Sequence, residues 1–191
     1  AIKKTANSKT YVSTKRGNNK NDGWYISSGD VFYVIERDDN GNSQVIYPIN
    51  GGYKMGWIKH YNVKYNANGG SNPPASQVKT EGVNLGLSGS KPSREHYSFQ
   101  SWNTSKDGTG TKYSAGATFK ENKGVTLYAQ WKKNTHKVTV NCSNSKMGSV
   151  NGGGNYDYGT SITISAAANN GYKFVRWNDG SIYPSRKITV N

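Results

Sequence analysis

The chain has 191 residues, a formal net charge of +14 and a single cysteine. These values exclude a fold held together by disulfides, and no Cys/His spacing typical of a metal site occurs. Hydrophobic residues make up only 32% of the chain, but 14 Tyr and 5 Trp supply large rings for small cores. The 23 Gly, with many Asn, Ser and Thr, predict short strands and turns. The charge is spread along the chain and would attract polyanions without selecting one.

Residues 1–60 alternate short β-rich runs with turn signals. Val31–Ile35 is a continuous apolar run and predicts a central strand. Asn21-Asp-Gly23 and Asp38-Asp-Asn-Gly41 are turn signals, and Asn-Gly between strands favours a tight hairpin. About five short strands in a segment of this length predict a small barrel.

The order of motifs in this segment resembles the bacterial SH3-like family. The motifs are Gly29-Asp-Val31, Val45-Ile-Tyr-Pro48 and the closing Gly52–Ile58. Such modules in Gram-positive proteins commonly bind cell-wall polymers or peptides. The resemblance therefore implies a binding role for residues 1–60.

Aromatic residues crowd this first segment. Their ordinary role is to fill the core, which we expect of Trp57 after Gly56. Exposed rings would instead stack on sugars or extended peptides. Tyr47 and Tyr53 flank a Pro-Ile-Asn-Gly-Gly loop, and we expect them to be the exposed ones. The predicted ligand-binding residues are Trp24, Tyr25, Tyr47 and Tyr53.

Residues 61–132 carry the most specific series of motifs in the chain. It begins with Val63–Gly70, continues with Tyr97-x-Phe-x-x-Trp102, and closes with Leu127-Tyr-Ala-Gln-Trp131. The series resembles the Listeria–Bacteroides (internalin B-type B) repeat, a small β-grasp-like module strung along bacterial surface proteins. His96 stands where that family usually has Gly, so the turn there must accept a side chain.

Residues 134–191 resemble a divergent copy of the same repeat. Tyr-x-Phe-x-x-Trp returns as Tyr172–Trp177, now preceded by Gly171. Val138-Thr-Val140 and Ile162-Thr-Ile164 alternate with polar residues, which predicts half-buried strands. The tryptophans expected in the repeat cores are Trp102, Trp131 and Trp177.

The second copy also ends sooner after its Trp than the first copy does. This predicts that its closing strand is missing and that the chain is part of a longer protein. A sheet edge left without that strand could pair with a strand of another copy, so strand-mediated self-association is a further expectation.

No constellation of residues predicts catalysis. The sequence contains no Gly-x-Ser-x-Gly elbow, no His-Glu-x-x-His motif and no recognisable carboxylate pair. His60, His96 and His136 fall near module boundaries or turns and are expected to be exposed or to lie in linkers. Cys142 is expected to be a buried residue of a strand.

One stretch, Asp38–Asn42, begins like a calcium loop. A calcium loop needs a bidentate Glu at its twelfth position, and Ile49 stands there, so a hairpin tip is the better interpretation. We therefore predict no catalytic residue, no metal and no cofactor.

The predicted fold is mainly β: a small SH3-like barrel (1–60) and two β-grasp-like repeat modules (61–133 and 134–191) in an extended array. The predicted protein is a non-catalytic fragment from the surface of a Gram-positive bacterium. Its first module would bind a cell-wall polymer, a peptide, a host ligand or an anionic glycan, and its repeats would act as spacers. No apolar run reaches the about 20 residues of a membrane span. The 191 residues show no signal-peptide pattern, so we expect them to be mature sequence if the protein is exported.

Two other interpretations stay open. The chain would also suit the accessory wall-targeting region of a larger secreted enzyme, such as a cell-wall hydrolase. Alternatively, its charge would suit a glycosaminoglycan or nucleic-acid binder. No RNA-binding or helix-turn-helix signature supports nucleic acid as the ligand.

Overall fold

The computed structural model describes residues 1–7, 10–12, 24–39 and 41–191, with only the backbone of Thr10, Tyr11 and Trp24. The predicted turn at Asn21-Asp-Gly23 lies outside this part. All regular secondary structure in the described residues is β-strand, so the predicted mainly β class is confirmed. The chain divides into two compact units. The first unit is Ala1–Glu95 with Phe99–Trp131, and the second is His96–Ser98 with Lys132–Asn191.

The strands alternate with short turns, as the Gly- and Asn-rich composition predicts. Up to Asn66 they are β1 (Ile2–Thr5), β2 (Thr10–Val12), β3 (Trp24–Ile26), β4 (Val31–Arg37), β5 (Asn42–Ile49) and β6 (Gly52–Asn66). The first repeat adds β7 (Gln77–Thr80), β8 (Leu85–Gly86), β9 (Tyr97–Asn103), β10 (Lys112–Tyr113), β11 (Thr118–Phe119) and β12 (Val125–Lys133). The second repeat contains β13 (Thr135–Val138), β14 (Gly148–Asn151), β15 (Gly154–Asp157), β16 (Ser161–Ala168) and β17 (Ser185–Thr189).

The largest sheet has the strand order β1-β4-β5-β6-β12-β9-β10, with β7 also paired to β6. The predicted central strand at Val31–Ile35 is confirmed, because β4 pairs with β1 on one side and β5 on the other. The sheet ends at β1 and β10, and the described strands form no closed barrel. Strands β2 and β3 form a separate antiparallel ribbon.

Strand β6 is 15 residues long and joins the N-terminal segment to the first repeat. Its Gly52–Lys59 half pairs antiparallel with β5, whereas Val63–Asn66 pairs parallel with Val125–Tyr128 of β12. The strand therefore continues without a break through residue 60. A domain boundary at that residue stays a prediction.

The core of the N-terminal segment lies on one face of β4, β5 and β6. Alternate residues point the same way in a strand, so one apolar set from each strand meets on that face. Its buried members are Ala6, Val12, Ile26, Phe32, Val34, Val45, Tyr47 and Ile58.

The core of the first repeat surrounds Trp102, which is fully buried as predicted. Tyr65 meets it edge-on, with 4.8 Å between the ring centroids. Leu127 and Ala129 of β12 are also fully buried in this core. Trp131 is partly buried against it, and its indole Nε1 donates hydrogen bonds to Ala67 O (2.9 Å) and Asn68 O (3.1 Å).

The second repeat forms two small sheets, β13-β15 and β14-β16-β17. Ile162, Ile164, Trp177 and Val190 are its buried core, which confirms the expectation for the alternating Ile pair and for Trp177. Strand β17 follows Trp177 and pairs antiparallel with β16. This pairing differs from that of β12 in the first repeat, so the absence of a β12-like closing strand stays a prediction.

The expectation of a buried, strand-borne Cys142 is wrong. Strand β13 ends at Val138, and Cys142 lies in the connection to β14, where it is half-buried. Its Sγ donates to Asn144 O at 3.2 Å. After Cys142, a turn at Asn144–Met147, closed by a 3.0 Å backbone hydrogen bond, leads the chain into β14.

His96 keeps the backbone conformation of the Gly it replaces. Its φ is 60°, in the left-handed region, and Gly171 at the matching place in the second repeat has φ 83°. Within the second unit the His96 ring stacks on Tyr158, with 3.4 Å between centroids and 8° between planes. His96 is therefore half-buried, which corrects the expectation of an exposed side chain.

Candidate functional site

A groove opens on the N-terminal segment where β3 approaches the end of β5. Its volume is ≈ 350 Å³. Tyr25 is 48% exposed and Ile49 is 39% exposed, so both present apolar surface to solvent. The lining residues are Tyr25, Ile26, Asp30, Val31, Tyr47, Pro48 and Ile49.

One wall of the groove is fixed by the turn between β3 and β4. The Ser27 N–H donates to Asp30 Oδ2 at 2.8 Å, and the Asp30 N–H donates to Ser27 O at 3.1 Å. The turn is tied to the chain after β1, because Gly29 donates to Ala6 O and Ala6 donates to Asp30 O. Gly29 has φ 91°, which explains why a glycine stands there.

The expectation that Tyr47 is exposed is wrong. Its side chain is only 6% exposed and belongs to the core. The cause is the period of β5, in which Val45 and Tyr47 point to the same, buried face. Burial raises the pKa of the Tyr47 phenol, so its hydroxyl stays neutral at physiological pH. Tyr47 therefore forms the floor of the groove.

Tyr53 is exposed as expected, at 69%, but it lies on the opposite face of the sheet from Tyr47. Directly paired residues on neighbouring strands share a face. Tyr53 is paired with Pro48, whereas Tyr47 is paired with Lys54. Tyr47 and Tyr53 therefore belong to two different surfaces.

The surface around Tyr53 is an apolar patch that the sequence interpretation missed. Tyr33, Ile46 and Met55 are consecutive cross-strand partners on this side of the sheet, and Met55 is 61% exposed. The alternation Tyr53-x-Met55-x-Trp57 could have revealed the patch. We call it the outer sheet face, and its members are Tyr33, Ile46, Tyr53, Met55 and Trp57.

The expectation that Trp57 fills the core is also wrong. Gly56 and Ile58 are buried, so the residue between them points outward, and Trp57 is half-buried. Trp24, the last predicted binding residue, pairs with Val12 through its backbone. Its side chain lies outside the described part, and its role stays a prediction.

His60 is buried, against the expectation of exposure. It is 8% exposed, and its Nδ1 lies 2.8 Å from the hydroxyl Oγ of Ser43, which is also buried. Burial first, and then the nearby Arg37 guanidinium, hold the pKa of His60 below its usual value. The Ser43–His60 pair links β5 to β6, and both side chains are buried between the two strands. His136 is exposed, as expected.

Asp38 organises the hairpin tip between β4 and β5. The Asn42 N–H donates to Asp38 Oδ1 at 2.8 Å, and the Asn42 amide donates to Asp38 Oδ2 at 3.1 Å. The hairpin interpretation of Asp38–Asn42 is thereby confirmed. Within the described ranges no group of three or more His, Cys, Asp or Glu side chains is placed to hold a metal ion.

Comparison with known proteins identifies two repeat domains in this chain. Residues 61–130 match the Listeria-Bacteroides repeat domain, and residues 138–190 match the Divergent InlB B-repeat domain. The chain therefore contains two such domains in succession, as its motifs predicted. The SH3-like character of residues 1–60 stays a prediction.

Two similar proteins come from Evansella cellulosilytica. They are named "Putative Gly-rich membrane protein", 41% identical over 72 residues, and "Putative membrane protein", 30% identical over 91 residues. The matches cover 37% and 46% of this chain but only 8% and 14% of the relatives. The chain thus spans a small part of their length. No solved structure matches it. In the described ranges, no helix has the length and apolarity needed to cross a membrane.

Proposed function

We propose that this chain is a non-catalytic part of a bacterial protein located at the cell surface. Its N-terminal segment binds a cell-wall polymer, and the two repeats act as spacers. The repeat domains at 61–130 and 138–190 support this proposal, and so do the relatives, whose names describe membrane proteins. The SH3-like resemblance of residues 1–60 adds the expectation of wall binding.

The observation that carries the binding proposal is the exposure of Tyr25 and Tyr53. Both rings present about half of their surface or more to solvent, one beside the groove and one on the outer sheet face. Large exposed aromatics can stack on sugar rings or lie against an extended chain. The net charge of +14 adds attraction to anionic wall polymers, and this contribution weakens as salt screens it.

Co-sedimentation with purified cell walls, at low and moderate salt, tests the proposal. Tyr25→Ala and Tyr53→Ala remove exposed rings without cutting into the core. We expect the double variant to lose at least about thirtyfold in affinity, because each stacked ring is worth about 1–3 kcal/mol and two rings are removed. Tyr183→Ala is the matched control, because Tyr183 is 69% exposed, like Tyr53, but lies in the second repeat.

Two outcomes would contradict the aromatic site. One is wild-type binding by the double variant. The other is that the wild-type protein loses all binding at moderate salt, because binding that salt abolishes is nonspecific charge attraction. A parallel heparin column tests the glycosaminoglycan alternative, which predicts retention on heparin and none on cell walls. If the chain is the wall-targeting region of a larger enzyme, it would bind through the same two rings. This alternative is compatible with the comparisons, because most of each relative lies outside the matched segment.

A further inference from the structure

In the first repeat, strand β12 lies between two other strands of the sheet. Val125–Tyr128 pairs in parallel with Val63–Asn66 of β6, and β9 is the neighbour on the other side. Leu127 and Ala129 point into the core and are fully buried. The Tyr97–Trp102 motif is therefore part of a regular strand that β12 supports.

In the second repeat, neither of the two matching segments forms a strand. Strand β13 ends at Val138, so Thr139–Asn141 is not in a strand, and neither is Tyr172–Trp177. In the described residues 132–191, β13 pairs only with β15. The same Tyr-x-Phe-x-x-Trp motif is thus a strand beside β12 in the first repeat and irregular in the second repeat.

One cleft of ≈ 280 Å³ in the second repeat is lined by residues of both segments and by the strand residues Gly148–Val150 of β14 and Ala166–Ala168 of β16. Asn141 and Cys142 line one side and Lys173–Trp177 line another. Phe174 and Trp177 belong to the core at this place, whereas Tyr172 is 52% and Val175 67% exposed. The cleft therefore combines an apolar floor with two segments that pair with no strand, and the Tyr172 and Trp177 amides at the ends of one segment donate to Asn169 O and Ser181 O.

The charged side chains that line the cleft are all basic. Lys173 and Arg176 are its charged lining residues, and no acidic side chain is among those that line it. Residues 132–191 contain only two acidic residues, Asp157 and Asp179, and Asp179 forms an ion pair with Arg186. An occupant of this cleft would therefore gain from negative charge.

We propose that this cleft accepts an added β-strand from a partner, with apolar residues at alternate positions and acidic residues between them. The apolar side chains cover Phe174 and Trp177, as Leu127 and Ala129 of β12 cover Trp102. The acidic side chains face Lys173 and Arg176. Main-chain hydrogen bonds supply the affinity, as in other cases of strand addition to a sheet edge. This interaction is independent of the N-terminal segment.

Synthetic peptides based on Val125–Trp131 of this chain test the proposal. The acidic peptide carries Thr126→Glu, Tyr128→Glu and Gln130→Glu, and the basic peptide carries Lys at the same three positions. A third peptide adds Ala129→Pro to the acidic one, which removes a main-chain donor and disrupts strand pairing. Only the peptides change, so the folding of the protein is not in question.

Binding is measured by calorimetry at low salt, and the contact surface by backbone NMR shifts of the intact chain. We expect the acidic peptide to bind at least about tenfold more tightly than the basic or proline peptide, with shifts centred on Thr139–Asn141 and Tyr172–Trp177. The protein variant Lys173→Glu/Arg176→Glu should reverse the preference between acidic and basic peptides. No binding, equal binding by the proline peptide, or shifts elsewhere would overturn the proposal.

The rival occupant of the cleft is a strand from a second copy of this chain. Sedimentation velocity of the protein alone shows whether such a dimer forms. A dimer that blocks the acidic peptide and persists in the Lys173→Glu/Arg176→Glu variant would also overturn the proposal. A monomer that binds the acidic peptide supports it.

Discussion

The substitution Gly70→Ala should strongly destabilise the first repeat, because there is no room for a methyl group at this position. A Cβ at residue 70 would lie 2.6 Å from Cζ2 of Trp131 and still closer to the carbonyl oxygen of Ser93. Atoms cannot stay that close, so the indole or the backbone must move. The indole is itself held by the hydrogen bonds of its Nε1 to Ala67 O and Asn68 O.

Two contributions set the size of the effect. Overpacking of a well-filled site costs about 1–3 kcal/mol. Displacing the Trp131 ring also weakens its hydrogen bonds, and one such bond contributes about 0.5–1.5 kcal/mol. Gly70→Ala should therefore lower the free energy of unfolding of the first repeat by about 2–4 kcal/mol.

Hydrogen exchange of the β6 and β12 amides, followed by mass spectrometry, measures this free energy locally, which suits a chain of two units. Gly89→Ala is the matched control, since no atom lies within 4 Å of the added Cβ. It should change stability by less than about 0.5 kcal/mol. If Gly70→Ala were as stable as Gly89→Ala, the steric reasoning would be refuted.

Three further predictions concern His96, His60 and Asp107. His96→Ala should be about 1 kcal/mol less stable than His96→Gly by thermal unfolding, because both lose the stack on Tyr158 but only Ala keeps a strained positive φ. Equal stabilities would contradict this. The folded pKa of His60 is lowered, so the unfolded chain binds a proton more readily. Stability should fall as pH drops below about 6.5. Denaturation midpoints measured from pH 7.5 to 5 should show this decline, and His60→Asn should reduce it. Hydrogen bonds from Ser105 and Thr109 lower the pKa of Asp107 to about 2, and a carboxyl NMR titration should find it raised in Ser105→Ala.

The repeats could be predicted from the sequence because their signal is local. The Tyr-x-Phe-x-x-Trp motif, the alternating Ile162 and Ile164, and the Asn-Gly turns each depend on residues close together in the chain. The left-handed turn at His96 is a local feature too, and the matching Gly171 indicated it.

The candidate site was harder to predict because it depends on which face of a strand is buried. Alternation shows that Tyr47 and Val45 share a face, as Tyr53 and Trp57 do, but Tyr47 of β5 lies on one face of the β5–β6 pair and Tyr53 and Trp57 of β6 on the other. The pairing of β5 with β6 and the packing of Phe32 and Val34 beneath decide which set is inside. Tyr25 and Ile49 line the same groove only because tertiary folding brings β3 and β5 together. No local sequence pattern could have predicted that they share a site.

The continuity of β6 also has a mechanical consequence. A strand of 15 residues is about 50 Å long, and here its first half is hydrogen-bonded to β5 and its last residues to β12. Tension along the chain would act parallel to the paired strands at Val63–Asn66. The hydrogen bonds between β6 and β12 would then have to break together rather than one after another. The N-terminal segment and the first repeat should then yield in one step in a pulling experiment.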